Sequence, residues 1–204
     1  MNKTINCPCG NNIQFEYEAE IDLDKNPDTL ESILNGTFMS CTCPFCRKKH
    51  KPELNVNISW ASKNCNLSVF PELERGEFYI KKKDTSPFET VIGFPEMADR
   101  IAVIKDSLEP VVIETLKSYI LAKAEENYPD NDVSIWYYCK SSSGIEFHIN
   151  GLREEETAVM RIPEEMYNKT LEDFKKQPKK PAYASLRVRS YLSIHNLLRS
   201  DVLK

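Results

Sequence analysis

The strongest chemical signal in this 204-residue chain is its seven cysteines: Cys7, Cys9, Cys41, Cys43, Cys46, Cys65 and Cys139. Five of the seven fall in two tight clusters, Cys7-Pro8-Cys9-Gly10 and Cys41-Thr42-Cys43-Pro44-Phe45-Cys46, with 33 residues between Cys9 and Cys43. Two short pairs at such a separation suit tetrahedral zinc. Each pair on a tight turn aims two thiolates at one point, and the two turns close a four-sulfur cage. Zinc lowers the thiol pKa, so the sulfurs bind as thiolates. Cys43-Pro44-Phe45-Cys46 has the usual two-residue spacing, and its proline pre-sets the turn. Gly10 supplies a permissive backbone just past Cys9. The Cys7-x-Cys9 pair is one residue shorter, so its turn must differ. Cys41 is an alternate ligand able to replace Cys7 or Cys9, and His50 is a more remote fifth candidate.

The expectation is one structural Zn2+ per chain, held by Cys7, Cys9, Cys43 and Cys46. Catalytic zinc keeps three protein ligands and an open position, whereas four or five cysteines close the shell. A Cys-x-x-Cys redox site would follow a strand and open a helix. Here Arg47-Lys48-Lys49-His50-Lys51-Pro52 makes a poor helix start. The odd cysteine count argues against a disulfide framework. Cys65 and Cys139 stand alone in apolar, strand-like runs and read as small buried hydrophobes.

A second constellation is Ile145-Glu146-Phe147-His148-Ile149-Asn150. On a strand, Ile145, Phe147 and Ile149 face a core, while Glu146, His148 and Asn150 share the other face. A carboxylate beside an imidazole can work as orienter and general base, so Glu146 and His148 are the catalytic candidates. Glu154, Glu155 and Glu156 follow and could add ligands for a hard metal. An ordinary solvated strand face produces the same alternation. There is no Gly-rich phosphate loop, nucleophile elbow or His-Glu-x-x-His helix.

These residues need elements to hold them. Residues 14–23 alternate, with Phe15, Tyr17, Ala19, Ile21 and Leu23 on one face, which predicts a half-buried antiparallel strand. Pro27 to Leu34 reads as a short helix stopped by Asn35-Gly36. Residues 37–42, 54–58 and 67–70 read as strands. Met97, Ile101 and Ile104 lie at helical spacing, with Asp99 and Arg100 beside them as a surface pair or interhelical contact. A second helix follows Asp106, whose spacing to Glu109 fits a capping box, and it buries Val112, Ile113, Leu116, Ile120 and Ala124. Strands are expected over 133–139, 145–152 and 157–162, with a hairpin turn at Ser141-Ser142-Ser143-Gly144. Helices are expected over 163–176 and 191–198. The fold class is α+β: an N-terminal zinc-knuckle and antiparallel β module with helices, then a C-terminal α+β region.

Composition sets the outer limits. With 41% hydrophobic and 28% charged residues, the chain reads as globular. No apolar run reaches the length that spans a bilayer, and the first residues lack the apolar core of a secretory signal. No membrane association is expected, and the expected address is cytoplasmic, where thiols stay reduced. The net charge of −4 argues against nucleic acid as a partner of the whole chain. The basic excess sits near the C-terminus, in Lys175-Lys176-Gln177-Pro178-Lys179-Lys180-Pro181, a segment that favours an extended, solvated linker.

The two knuckles, above all Cys43-Pro44-Phe45-Cys46, resemble the CpXC family. So does their frame of knuckle, acidic strand, Pro-started helix with Asn35-Gly36, strand and knuckle. That family consists of uncharacterised prokaryotic proteins with paired Cys-Pro-x-Cys motifs. The resemblance implies that Cys7, Cys9, Cys43 and Cys46 are the four motif cysteines and that the metal is zinc; it implies no reaction. Its specific part covers about residues 5–60, with a looser match in element order to the helix ending near 126. Two positions depart from the pattern: the first pair lacks its x residue, and Arg47 stands where a glycine often follows. The resulting organisation is a CpXC-like zinc-binding domain over 1–126 and an α+β region over 127–204.

The leading functional expectation is a zinc-stabilised module that binds an unknown protein partner or forms a homo-oligomer. The runner-up is an enzyme with its active face at Glu146 and His148 and the zinc remote. A third reading is a nucleic-acid-associated zinc ribbon using the basic 175–189 region, with Arg187 and Arg189.

Overall fold

The structure is a computed structural model describing residues 1–80 and 87–198. The chain forms two compact units, Met1–Ala98 and Asp99–Lys204. This boundary rests on packing, whereas the 1–126 and 127–204 organisation read from the sequence rests on motif resemblance.

The first unit opens with strands β1 (Asn2–Asn6), β2 (Asn12–Glu16) and β3 (Glu20–Asp22), followed by helix α1 (Pro27–Leu34). Then come β4 (Cys41–Thr42), β5 (Lys49–His50), β6 (Val56–Trp60), β7 (Cys65–Phe70), α2 (Arg75–Ile80) and β8 (Glu89–Ile92). β1 with β2, and β4 with β5, make two separate antiparallel hairpins. β3, β6, β7 and β8 lie side by side: β6–β7 is antiparallel, and β3–β6 and β7–β8 are parallel. Val56, Ile58, Trp60, Leu67 and Val69 are buried on one face. On the other, Glu20, Asn57 and Ser68 sit in register and bond across three strands: the Asn57 amide donates to Glu20 at 2.8 Å, and the Ser68 hydroxyl donates to Asn57 at 2.9 Å.

The single strand expected over 14–23 is two strands. Burial still alternates from Ile13 to Leu23. The backbone partner changes at residues 17–19: β2 closes a hairpin with β1, while β3 joins β6 in parallel. Periodicity reports which side chains face inward and says nothing of which strand takes the hydrogen bonds. Helix α1 matches its expected bounds, with Pro27 in its first turn.

Helix α3 (Phe94–Lys105) contains the division between the units, and the second unit continues with α4 (Pro110–Asn127). Strands β9 (Ser134–Ser141), β10 (Gly144–Asn150) and β11 (Thr157–Ile162) form an antiparallel sheet with β10 central. The chain ends with α5 (Glu164–Lys176), α6 (Pro181–Ala184), β12 (Arg187–Val188), β13 (Tyr191–Leu192) and α7 (His195–Leu198). Ile145, Phe147 and Ile149 point into a core shared with Val112, Ile113, Leu116 and Ile120 of α4. The fold class is α+β, as the sequence indicates.

Several local expectations change. The strand expected over 37–42 is only β4, and 175–181 is no extended linker, since Lys175 and Lys176 end α5 and Pro181 opens α6. Asp106 does not cap α4; Glu109 occupies the cap position without a side-chain bond, and Asp106 instead accepts the Tyr137 hydroxyl. The terminal helix is only α7, because residues 191–192 pair as a strand and the buried Asn196 amide donates to Leu186 O at 2.8 Å and Tyr191 O at 3.2 Å. Side-chain amides that bond to backbone carbonyls compete with helix formation in this way. Asp99 and Arg100 are buried, so of the two readings the surface pair falls and the interhelical contact holds. Asp99 pairs with Lys117, which also meets Glu114 at 2.8 Å, and Arg100 lies 3.8 Å from Glu114.

Candidate metal centre

Each hairpin carries one cysteine pair at its tip. β1–β2 closes on the Asn6–Asn12 pair, leaving Cys7 to Asn11 as the turn. β4–β5 closes on the Thr42–Lys49 pair, leaving Cys43 to Lys48. The two turns use the same two hydrogen bonds. In the second, Arg47 N–H donates to Cys43 O, and Cys43 N–H donates to Lys48 O, both at 2.9 Å. In the first, Gly10 N–H donates to Cys7 O, and Cys7 N–H donates to Asn11 O, again at 2.9 Å. The short Cys7-x-Cys9 spacing is therefore absorbed by a turn one residue tighter, with its ends tied identically. Past each second cysteine the backbone is left-handed, with φ of 88° at Gly10 and 61° at Arg47.

The four sulfurs of Cys7, Cys9, Cys43 and Cys46 lie within 4.8 Å of one another. The close contacts run across the knuckles: Cys7 to Cys46 at 3.5 Å, and Cys9 to Cys43 at 3.8 Å. Zn–S bonds of about 2.3 Å at tetrahedral angles require sulfurs about 3.8 Å apart. The donor set fits such an ion. The first cysteine of each pair is buried and the second exposed. Ile13 packs between the buried pair, with Ile5 and Cys41 beside it. Cys41 is not among the four clustered sulfurs; it sits on β4 opposite His50.

The surroundings pull the thiols of the cluster in opposite directions. The Asn11 side-chain amide donates to Cys9 Sγ at 3.4 Å and, with the Asn11 backbone, holds that thiol down at about 6. The Cys46 N–H lowers Cys43 against the upward push of burial, and the Phe45 N–H adds to it. The Cys9 backbone favours a Cys7 thiolate, but burial and the surrounding sulfurs outweigh it and push Cys7 up to about 12. Four thiolates this close repel, and a bound dication removes that repulsion. His50 Nε2 lies 3.3 Å from Cys7 Sγ. His50, the remote fifth candidate, thus touches one of the sulfurs but is not among the four clustered ligands.

The second constellation is also brought together. His148 Nε2 lies 3.3 Å from Glu146 Oε1. Both groups have other partners. Arg161 Nε donates to Glu146 Oε2 at 2.7 Å, and the guanidinium, ahead of the imidazole, holds the carboxyl below its usual range. The Tyr138 ring stacks on His148 with centroids 4.0 Å apart. Glu154, Glu155 and Glu156 are exposed on the loop after β10, and the group able to hold a metal among the described residues is the cysteine one. An open cavity of about 670 Å3 in the first unit is lined by Phe15, Tyr17, Phe38 and Met39 with Glu16 and Glu18, and by none of the cysteines. No helix among the described residues is long and apolar enough to cross a membrane.

Comparison with known proteins agrees with the paired-knuckle geometry. The family model described as CpXC protein matches residues 5–117, more than half of the chain. The chain belongs to the CpXC protein family. The CpXC match takes in both hairpins, β6 to β8 and α3, and ends inside α4. An uncharacterized protein of Treponema pallidum (strain Nichols) is 29% identical over 214 residues, covering 95% of this chain and 97% of that protein. The likeness to this relative thus extends beyond the CpXC match, through the second unit. No solved structure matches the chain.

Proposed function

We propose that the four cysteines hold one structural zinc ion that clips the two hairpins together, and that the C-terminal α+β region binds a partner protein or another copy of this chain. The observation that carries this reading is the pair of cross-knuckle sulfur distances, 3.5 and 3.8 Å, in a donor set of four thiols. A closed four-sulfur shell leaves no position for water or substrate, so the ion fastens the hairpins. Ligation by thiolates requires reduced cysteines, which favours a cytoplasmic location.

Metal analysis tests the reading. Protein purified from zinc-replete medium should carry about one zinc per chain. Its absence overturns the proposal. Replacing Cys43 and Cys46 together with serine should unfold both hairpins, read by amide exchange, and hairpins that stay protected would count against a fastening role.

An enzyme centred on Glu146 and His148 is the second reading, supported by their 3.3 Å contact. It is the weaker one. A carboxylate held low by Arg161 is a poor proton acceptor, and His148 is covered on one face by Tyr138.

A further inference from the structure

The bases of the metal module are sorted from the acids. Residues 1–15 and 37–52 contain Lys3, Arg47, Lys48, Lys49 and Lys51 and not one Asp or Glu. The flanking acids are Glu53, whose oxygens accept the Glu72 and Phe94 N–H groups, and Glu16, which pairs with Asn2 at the end of the first hairpin away from the cysteine turn. Five residues of strand put about 14 Å between the two ends. A four-thiolate zinc centre carries two negative charges, so five bases leave the module with an excess of three positive ones.

Arg47, Lys48, Lys49 and Lys51 are all exposed, and none is paired with a carboxylate among the described residues. Between the ligating positions Cys43 and Cys46, Phe45 is 67% exposed. Cys43, two residues before it in the same turn, is fully buried. The immediate chain neighbours of Phe45 are an exposed proline and cysteine, with cations just beyond, and no apolar patch surrounds it in the sequence. An anchor for a protein partner would sit within contiguous apolar surface. An exposed aromatic followed within six residues by four exposed cations is instead the composition of a single-strand platform, where the ring stacks on a base and the cations follow the phosphates. A duplex keeps its bases stacked on one another and offers the ring nothing.

We infer that the tip of the second hairpin, Phe45 with Arg47, Lys48, Lys49 and Lys51, binds single-stranded nucleic acid. The inference rests on the zinc reading, because the metal is what holds this tip rigid. The net charge of the whole chain points the other way only because it averages over acids placed elsewhere.

The test is fluorescence anisotropy of a labelled oligothymidylate of about twelve nucleotides with the zinc-loaded full chain. Binding should weaken with salt, with a log–log slope of about −2.8 if four phosphates are neutralised. Phe45→Ala should cost about fivefold or more, while Phe45→Tyr retains binding. Lys48→Gln with Lys49→Gln should weaken binding and reduce the slope by about 1.4. Lys175→Gln with Lys176→Gln should change neither. The inference is overturned if a folded, zinc-loaded chain ignores the oligonucleotide, if binding survives the hairpin variants unchanged, or if a polyglutamate peptide competes equally well, which would mark an acidic protein as the partner. Zinc content is read on each sample. A zinc-loaded chain without binding leaves the metal reading standing, a zinc-free chain that binds overturns the metal reading alone, and a zinc-free chain that does not bind overturns both.

Discussion

Gly10 and Arg47 hold equivalent places, one residue past the second cysteine of each knuckle, and both take left-handed backbone at φ of 88° and 61°. Each also donates its N–H to the carbonyl of the first cysteine of its pair at 2.9 Å. Glycine adopts this conformation freely, whereas a side chain costs about 1 kcal/mol there. Arg47→Gly should therefore stabilise the second hairpin by about that amount and leave metal stoichiometry unchanged. Competition with a chelator, read as zinc retained at fixed chelator concentration, checks it. Faster zinc loss from the variant would mean that Arg47 contributes more through its side chain than its backbone costs.

Cobalt can stand in for zinc and report its ligands by colour. Titration should saturate at about one ion per chain with the spectrum of a tetrahedral thiolate site. Cys9→Ser and Cys46→Ser should each weaken the site and shift its absorption. Cys41→Ser should do neither, since Cys41 lies outside the four clustered sulfurs. A spectrum altered by Cys41→Ser and untouched by Cys9→Ser would transfer the ligand role to Cys41.

The buried charges of the second unit should show in its acid stability. Burial pushes Glu114 up, but the Lys117 ammonium and then the Arg100 guanidinium outweigh it, and the carboxyl lies below its usual range. Its oxygens also accept the Ile194 N–H at 2.9 Å. A lowered folded value means that the contribution is present above the unfolded glutamate range, near 4.3, and is lost as pH falls through the lower folded value. Glu114→Gln should cost roughly 3 kcal/mol near neutral pH, because it leaves buried cations short of a partner. In urea titrations the gap between the two proteins should narrow below about pH 4. A gap independent of pH would show that the loss comes from packing.

Gly144 closes the β9–β10 turn at φ of 119°, and a Cβ there would lie 2.4 Å from Ile162 O. That oxygen is backbone and cannot swing aside. Gly144→Ala should cost roughly 2 kcal/mol or more in urea unfolding. Gly76→Ala, in α2 with open space around the position, should be neutral or stabilising by about 0.5–1 kcal/mol. Equal effects at the two glycines would contradict this account of the turn.

The sequence showed some of this plainly. Helix α1 was legible to the residue because proline at its start and Asn35-Gly36 at its end are local signals. The apolar stripe of α4 was legible, but Glu114 and Lys117 within it were not. A charged residue on a buried face looks like a surface residue until Asp99 and Arg100 are found opposite. The cysteine cluster was readable from spacing, yet the equivalence of a three-residue and a four-residue knuckle was not, because it resides in backbone hydrogen bonds. The splitting of residues 14–23 between two strand partners was hidden for the same reason.

The four-sulfur cluster joins two turns that each need only local pairing to form, across the 33 residues between Cys9 and Cys43. Hairpins of this length form in about microseconds, whereas closing a long loop carries an entropic cost that local contacts do not offset. The two knuckles can thus take shape independently and meet late, and if the sulfurs hold the proposed ion, its binding is the step that commits them. An ion arriving early has two sulfurs to bind on either turn and the other pair still to find. Assembly would then depend on free metal in time as well as at equilibrium, so a newly made chain short of zinc would wait with both turns built and the gap between them open.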